Sequence, residues 1–76
     1  MGQFVSVLRS LVRSIVLYPQ NVLVKQINAD PLAFEILVSR ADYDPVLSKL
    51  SALKALAAAC SDLPEQAWVV VYLKPE

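Results

Sequence analysis

The residues of this sequence whose types could do chemistry are two neighbouring aspartates, one cysteine and a short group of serines and lysines. Asp42 and Asp44 are close enough in the sequence to suggest an acid–base pair or two oxygen ligands for a metal. They come with no further oxygen ligands and no partner base, and Asp44 followed by Pro45 is typical of an N-cap with proline at the first helical position. We therefore predict structural roles for both aspartates and no metal site.

The residue types that are missing or rare exclude several classes of enzyme. The chain has no histidine, and its one glycine is Gly2. A Ser-His-Asp or Cys-His relay is therefore excluded, as are a P-loop and a GxGxxG dinucleotide turn. Cys60 follows three alanines, so we expect it to be a small core residue, and the absence of an internal disulfide favours a reducing compartment, the cytoplasm. We predict a protein that is not an enzyme and uses no cofactor.

Length and charge set the size of the protein and the kind of partner it can attract. The 76 residues predict a single domain over residues 1–76, and seven Lys and Arg are balanced by seven Asp and Glu, which leaves no global positive field. Although 57% of the residues are hydrophobic, the longest apolar runs are residues 55–60 and 67–73. Both are far shorter than the roughly 20 residues of a membrane span, so we expect no membrane partner. Gly2 with Ser6 fits the minimal myristoylation pattern, and whether Gly2 is modified stays open.

The first half of the chain predicts one helix and a β-hairpin. Residues 3–17 are amphipathic with a helical period, and Pro19 ends the pattern. Residues 21–27 and 32–38 are rich in aliphatic and β-branched residues and are separated by a turn-forming cluster, which is typical of two antiparallel strands. The predicted apolar stripe of the helix is Phe4, Leu8, Leu11, Val12, Ile15 and Val16, and the predicted core side of the second strand is Leu32, Phe34, Ile36 and Val38.

The second half predicts an alanine-rich helical region and a final strand. Residues 46–60 are helix-forming, residues 61–66 are a predicted loop, and residues 67–73 predict a strand buried on both faces or nearly so. Within that strand we expect Trp68 to lie in the core or at a protein interface. The predicted fold is α+β, with the order α-β-β-α(-α)-β and a three-stranded sheet that carries its helices on one face.

Four segments together resemble a known family. An apolar helix ends at a proline turn and continues directly into a strand (residues 11–24), an acidic linker follows the hairpin (residues 41–44), and an alanine-rich helix (residues 54–59) precedes a valine-rich strand (residues 69–71). In order and spacing, from about residue 8 to residue 74, the chain resembles the small stand-alone bacterial KH-domain proteins. The resemblance implies a type II KH-like fold and binding of single-stranded RNA.

The loop that defines KH domains is altered in this sequence. KH domains hold the nucleic-acid backbone with a GxxG loop between two helices, and the matching positions here are Ser48, Lys49, Leu50 and Ser51, with serine in place of both glycines. Lys49 and the nearby Lys54 carry positive charge, and serine hydroxyls can donate to phosphate oxygens. These five residues are the candidate RNA-binding site that the resemblance implies. The sequence leaves open whether residues 48–51 form a loop or continue a helix.

Two functions follow from these observations. The first is a KH-like RNA-associated protein whose binding of single-stranded RNA is weak or lost. The alternative is a protein–protein interaction or dimerisation module on a KH-like scaffold, with a protein partner or a second copy of the chain in place of RNA. It is favoured by the missing GxxG motif, the zero net charge and the surplus of apolar residues.

Overall fold

The computed structural model describes residues 2–61 and 67–75. Over these two ranges the chain forms three α-helices and three β-strands in the order helix, strand, strand, helix, helix, strand, which confirms the predicted α+β class. They are α1 (Gly2–Arg13), β1 (Leu23–Ala29), β2 (Leu32–Val38), α2 (Arg40–Ser48), α3 (Leu50–Ser61) and β3 (Trp68–Leu73), with a single 3-10 turn (Pro19–Asn21) between α1 and β1. Of the predicted loop, residues 62–66 lie outside the described residues.

The strands form a mixed sheet in the order β1-β2-β3. β1 and β2 pair antiparallel, as the hairpin prediction required, and a register shift between Gln26 and Asn28 interrupts their ladder. β2 and β3 pair in parallel, with Ala33 opposite Trp68 and Val38 opposite Leu73. A parallel pair needs a crossover connection, and α2 and α3 lie in that connection. β2 is therefore the central strand, and β1 and β3 are the edges.

The core lies between the helices and one face of the sheet. Val24, Ile36 and Val71 stand side by side on the three strands and are all buried. α1 covers this face with Phe4, Leu8 and Val12, which are spaced four residues apart and fully buried. The ring of Phe4 packs on that of Phe34 with 4.7 Å between the ring centroids. The stripe predicted for the first helix is thus confirmed at these three positions.

The first helix ends four residues earlier than the predicted boundary at residue 17. Its last residue is Arg13, and the next turn tightens because Ile15 N–H donates to the Val12 carbonyl, three residues back, at 3.2 Å. The Ser14 hydroxyl donates to the Leu11 carbonyl at 2.6 Å, which occupies another acceptor of the last turn. Ile15 still contributes a half-buried side chain to the core, so the apolar period continues beyond the helix that it predicts.

The helical region after the hairpin differs from the prediction in two ways. Asp44 does not cap a helix that starts at Pro45, because α2 begins at Arg40 with Ser39 as its extended N-cap residue. Pro45 lies inside α2, where its missing N–H leaves the carbonyl of the exposed Ala41 without a helical partner. The predicted helix over residues 46–60 is also divided, since α2 ends at Ser48 and α3 begins at Leu50.

Two predictions of burial, for both faces of β3 and for Cys60, are wrong. β3 is an edge strand with one covered face, so the prediction that it is buried on both faces is wrong. Trp68 is 65% exposed and Tyr72 is 48% exposed, because the helices leave the outer face of the sheet uncovered. Cys60 is also exposed, since the buried stripe of α3 is narrow and consists of Leu53, Ala57 and Ala58.

Candidate functional site

The predicted site residues lie at the junction between α2 and α3. Ser48 is the last residue of α2, Lys49 forms the connection, and α3 begins with Leu50 and Ser51. Lys49 N–H donates to the carbonyls of Val46 and Leu47, and its own carbonyl accepts the N–H of Leu53 at 3.0 Å. The question left open by the sequence is therefore answered by a one-residue turn, neither a longer loop nor a continuous helix.

This turn forms without glycine. Lys49 has φ −104° and ψ 7°, a conformation with negative φ that residues other than glycine adopt. The helices therefore separate at Lys49 without a positive φ angle, although both glycines of the GxxG pattern are serine here.

The structure presents most of the predicted site to solvent. Ser48, Lys49 and Ser51 are exposed, whereas Leu50 and Lys54 are half-buried. Lys54 lies three and four residues after Ser51 and Leu50, so these three share one side of α3. The five predicted residues thus form one continuous surface around the start of α3.

The hydroxyl groups at the turn are not equivalent. The Ser48 hydroxyl donates to the Pro45 carbonyl at 3.0 Å, so its proton is already used within α2. Across the described residues the Ser51 hydroxyl has no hydrogen-bond partner, and its proton is available to a ligand. Only one of the two serines is therefore ready to donate to an anion.

The electrostatics of the turn suit a negative ligand. The first N–H groups of a helix have no acceptor within it, and the 12-residue α3 adds the positive end of its dipole at this point. Among the described residues the ion pair found is Lys25 with Glu35, at 4.0 Å between Nζ and Oε1. Lys49 and Lys54 therefore carry positive charges without a carboxylate partner in that part of the chain, beside free helix amides.

Aromatic side chains do not join this surface. Trp68 and Tyr72 lie on the outer face of the sheet, while the turn at Lys49 lies between two helices on the other side. A base stacked on either ring would therefore be separated from the lysines by the sheet. The structure does not bring the stacking candidates and the charged candidates together.

Asp42 has a structural role, as predicted, but through contacts that the sequence did not indicate. Its carboxylate is buried, with Oδ1 accepting the N–H of Leu17 at 2.8 Å and Oδ2 accepting the N–H of Tyr18 at 3.0 Å. Oδ2 also accepts the Ser39 hydroxyl at 3.1 Å. Asp42 thereby joins the segment after α1 to the start of α2, and Asp44 is exposed and takes no part. A serine at the N-cap with an acidic residue three positions later is typical of a helix start. Ser39 and Asp42 have this spacing, and it is the signal that could have revealed this site.

A separate open cleft of about 480 Å³ lies at the other end of α2, where β2 and β3 end. Its lining combines two cationic side chains with small polar and apolar ones, from Asn21, Ser39, Arg40, Leu73, Lys74 and Pro75. Sequence reasoning did not bring these residues together, because they come from three distant segments. The cleft adds positive charge at a distance of one helix length from the turn at Lys49.

Comparisons of the chain with protein-family models, with curated proteins and with solved structures gave no match. Along residues 2–61 and 67–75, none of the helices combines the length and apolar character needed to cross a membrane. In the same ranges no group of three or more Cys, Asp or Glu side chains is placed to hold a metal ion. The resemblance to KH-domain proteins, and the function that it implies, stay predictions from the sequence.

Proposed function

We propose that this chain is a KH-like, RNA-associated protein of the cytoplasm that contacts single-stranded RNA weakly through the turn between α2 and α3. The proposal depends on one observation above the others. At Lys49 two helices meet in a one-residue turn that exposes a lysine and the first amides of α3. It also exposes the Ser51 hydroxyl, which has no hydrogen-bond partner in the part of the chain that the structure describes. Such a surface binds phosphate groups through charge and backbone donors.

The same geometry explains why the contact is weak. In a GxxG loop the missing side chains let the nucleic-acid backbone approach the amides closely. Here Ser48 and Ser51 have side chains beside those amides, and the Ser48 proton is bonded to Pro45. Because the aromatic rings lie on the other side of the sheet, binding rests on one or two phosphate contacts and weakens as the salt concentration rises. We propose a binding role and no catalytic one.

A titration with labelled single-stranded RNA of mixed sequence tests this proposal. At low salt we expect saturable binding in the micromolar range, with a log–log salt slope that reflects one or two phosphate contacts. The double variant Lys49→Glu, Lys54→Glu should weaken binding by about tenfold or more and reduce the salt slope.

A matched control separates the site from the change in total charge. The double variant Lys25→Glu, Lys74→Glu alters the net charge equally, but Lys25 lies on the outer face of the sheet and Lys74 in the cleft at the other end of α2. It should retain most of the affinity. Absence of binding at tens of micromolar by the unmodified protein, or equal losses in both double variants, would contradict the proposal.

A second candidate function is a protein-interaction module. It is favoured by the outer face of the sheet, where exposed apolar side chains include Leu23, Trp68, Val70 and Tyr72. Contiguous apolar surface of this kind is typical of an interface. Light scattering and pull-down experiments test it, and a strict monomer that captures no partner would exclude it.

A further inference from the structure

Among the described residues, the backbone groups on the outer edge of β3 have no pairing partner, and their positions follow from the ladder with β2. Lys74 N–H donates to the Val38 carbonyl at 2.8 Å and continues the ladder between β2 and β3. Because N–H and C=O groups alternate along a strand, the even-numbered residues of β3 face β2 and the odd-numbered ones face away from it. Val69 and Val71 therefore direct both backbone groups toward the open edge.

Nothing in β3 itself prevents another strand from pairing there. Soluble proteins protect edge strands with charged residues, proline, bulges or very short strands. β3 has six residues, none of which is charged, glycine or proline. Its outer face is apolar and exposed at Trp68, Val70 and Tyr72.

The sequence of β3 is complementary to itself in one antiparallel register. A twofold axis perpendicular to the sheet at Val70 places Val70 opposite the partner's Val70 and Trp68 opposite the partner's Tyr72. Val69 and the partner's Val71 then exchange two backbone hydrogen bonds, and the symmetric pair exchanges two more. The Trp68 pairs fall at non-hydrogen-bonded positions, where opposite side chains are closest and aromatic pairs contribute most.

We propose that the chain forms a homodimer by antiparallel pairing of β3 with β3 of a second copy, centred on Val70. The two sheets become one continuous sheet with all helices on the same side. Charge favours this occupant, because a strand without charged residues meets its own copy without repulsion. The assembly closes at two copies, since the outer edges are then both β1, which carries Lys25 and the register shift. The inference rests on the second candidate function alone and is independent of RNA binding.

Sedimentation across a range of concentrations tests the dimer. We expect a reversible monomer–dimer equilibrium for the unmodified protein, and the emission of Trp68, the single tryptophan, should shift to shorter wavelength as the dimer forms. Val70→Lys should raise the dissociation constant by at least tenfold. Leu23→Lys is the matched control, because Leu23 is exposed on the same outer face but lies on β1.

A crosslink tests the register even if Val70→Lys fails to fold. In a Cys60→Ser background, Val70→Cys should form a disulfide-linked dimer on mild oxidation, since opposite residues of a non-hydrogen-bonded pair have a suitable Cα separation. Leu23→Cys in the same background should not. Three results would overturn the proposal. They are a protein that stays monomeric into the millimolar range, crosslinking at position 23 as readily as at position 70, and equal loss of association in both lysine variants. An unchanged RNA affinity of Val70→Lys would show that the two functions are separate, whereas its loss would overturn their independence.

Discussion

The two edges of the sheet are built in opposite ways. β1 has Lys25 on its outer face, polar residues at Gln26 and Asn28, and a register shift between those two positions. β3 has none of these features and exposes Trp68 and Tyr72 instead. Both edges of such a sheet can pair with another strand, so among the described residues the protecting features found on β1 and not on β3 favour the proposed pairing at β3.

The largest loss of stability should come from replacing Asp42, which holds the segment that leads into β1. Asp42→Ala removes the acceptor for two backbone N–H groups at Leu17 and Tyr18, which precede β1, and leaves these part-buried donors without a partner. We expect a loss of about 3 kcal/mol in the free energy of unfolding, measured by urea denaturation. Asp44→Ala, at an exposed position two residues on, should change it by less than about 0.5 kcal/mol. Similar values for both variants would contradict the role given to Asp42.

A smaller loss of stability should distinguish substitutions on the two faces of β3. Val71 is buried on the core side, and its neighbour Val70 is on the outer side at 37% exposure. Val71→Ala should lower the free energy of unfolding by about 2 kcal/mol, and Val70→Ala by less than about 1 kcal/mol. The measurement is made at a concentration low enough to keep the protein monomeric. If Val70→Ala were the more destabilising change, the assignment of inner and outer faces would be wrong.

The smallest change in stability should come from removing the protection of β1. Lys25→Val removes a long ion pair between the exposed Lys25 and the half-buried Glu35, so we expect the free energy of unfolding to change by less than about 1 kcal/mol. Self-association should nevertheless extend beyond the dimer, because both ends of the joined sheet would lose their charged residue. Sedimentation velocity would detect the larger species, with Lys49→Val as the control outside the sheet. A variant that stays dimeric would assign the protection to the register shift instead of the charge.

The sequence predicts those parts of the fold that follow from the spacing of apolar residues along a single helix or strand. The bounds of β2 agree with the predicted strand at residues 32–38, and α1 is buried at Phe4, Leu8 and Val12 as its period requires. The end of α1 was misplaced because the apolar period continues past Arg13, and the start of α2 because Asp44 followed by Pro45 resembles a helix start. The contacts of Asp42 with Leu17 and Tyr18 span 25 and 24 residues. A contact over such a distance leaves little trace in local patterns.

The sequence proposed residues 48–51 as the candidate site and left open whether they form a loop or a helix. The structure has a one-residue turn there, and the backbone angles of Lys49 could not be inferred from serines that replace glycines. The sequence left open whether Trp68 lies in the core or at an interface, because an apolar run does not reveal whether one or both faces of its strand are covered. RNA binding stays a prediction that the titration decides.

The parallel pairing of β2 with β3 has a consequence for synthesis on the ribosome. β3 follows α2 and α3 in the chain, so the hairpin of β1 and β2 leaves the ribosome well before the strand that will cover its open side. During that interval the edge of β2 at Phe34 and Ile36 is unpaired. This apolar strand can then pair with strands of other chains until β3 is added. The sheet is therefore completed late, and a chain interrupted before residue 68 exposes the most buried strand of the fold as its edge.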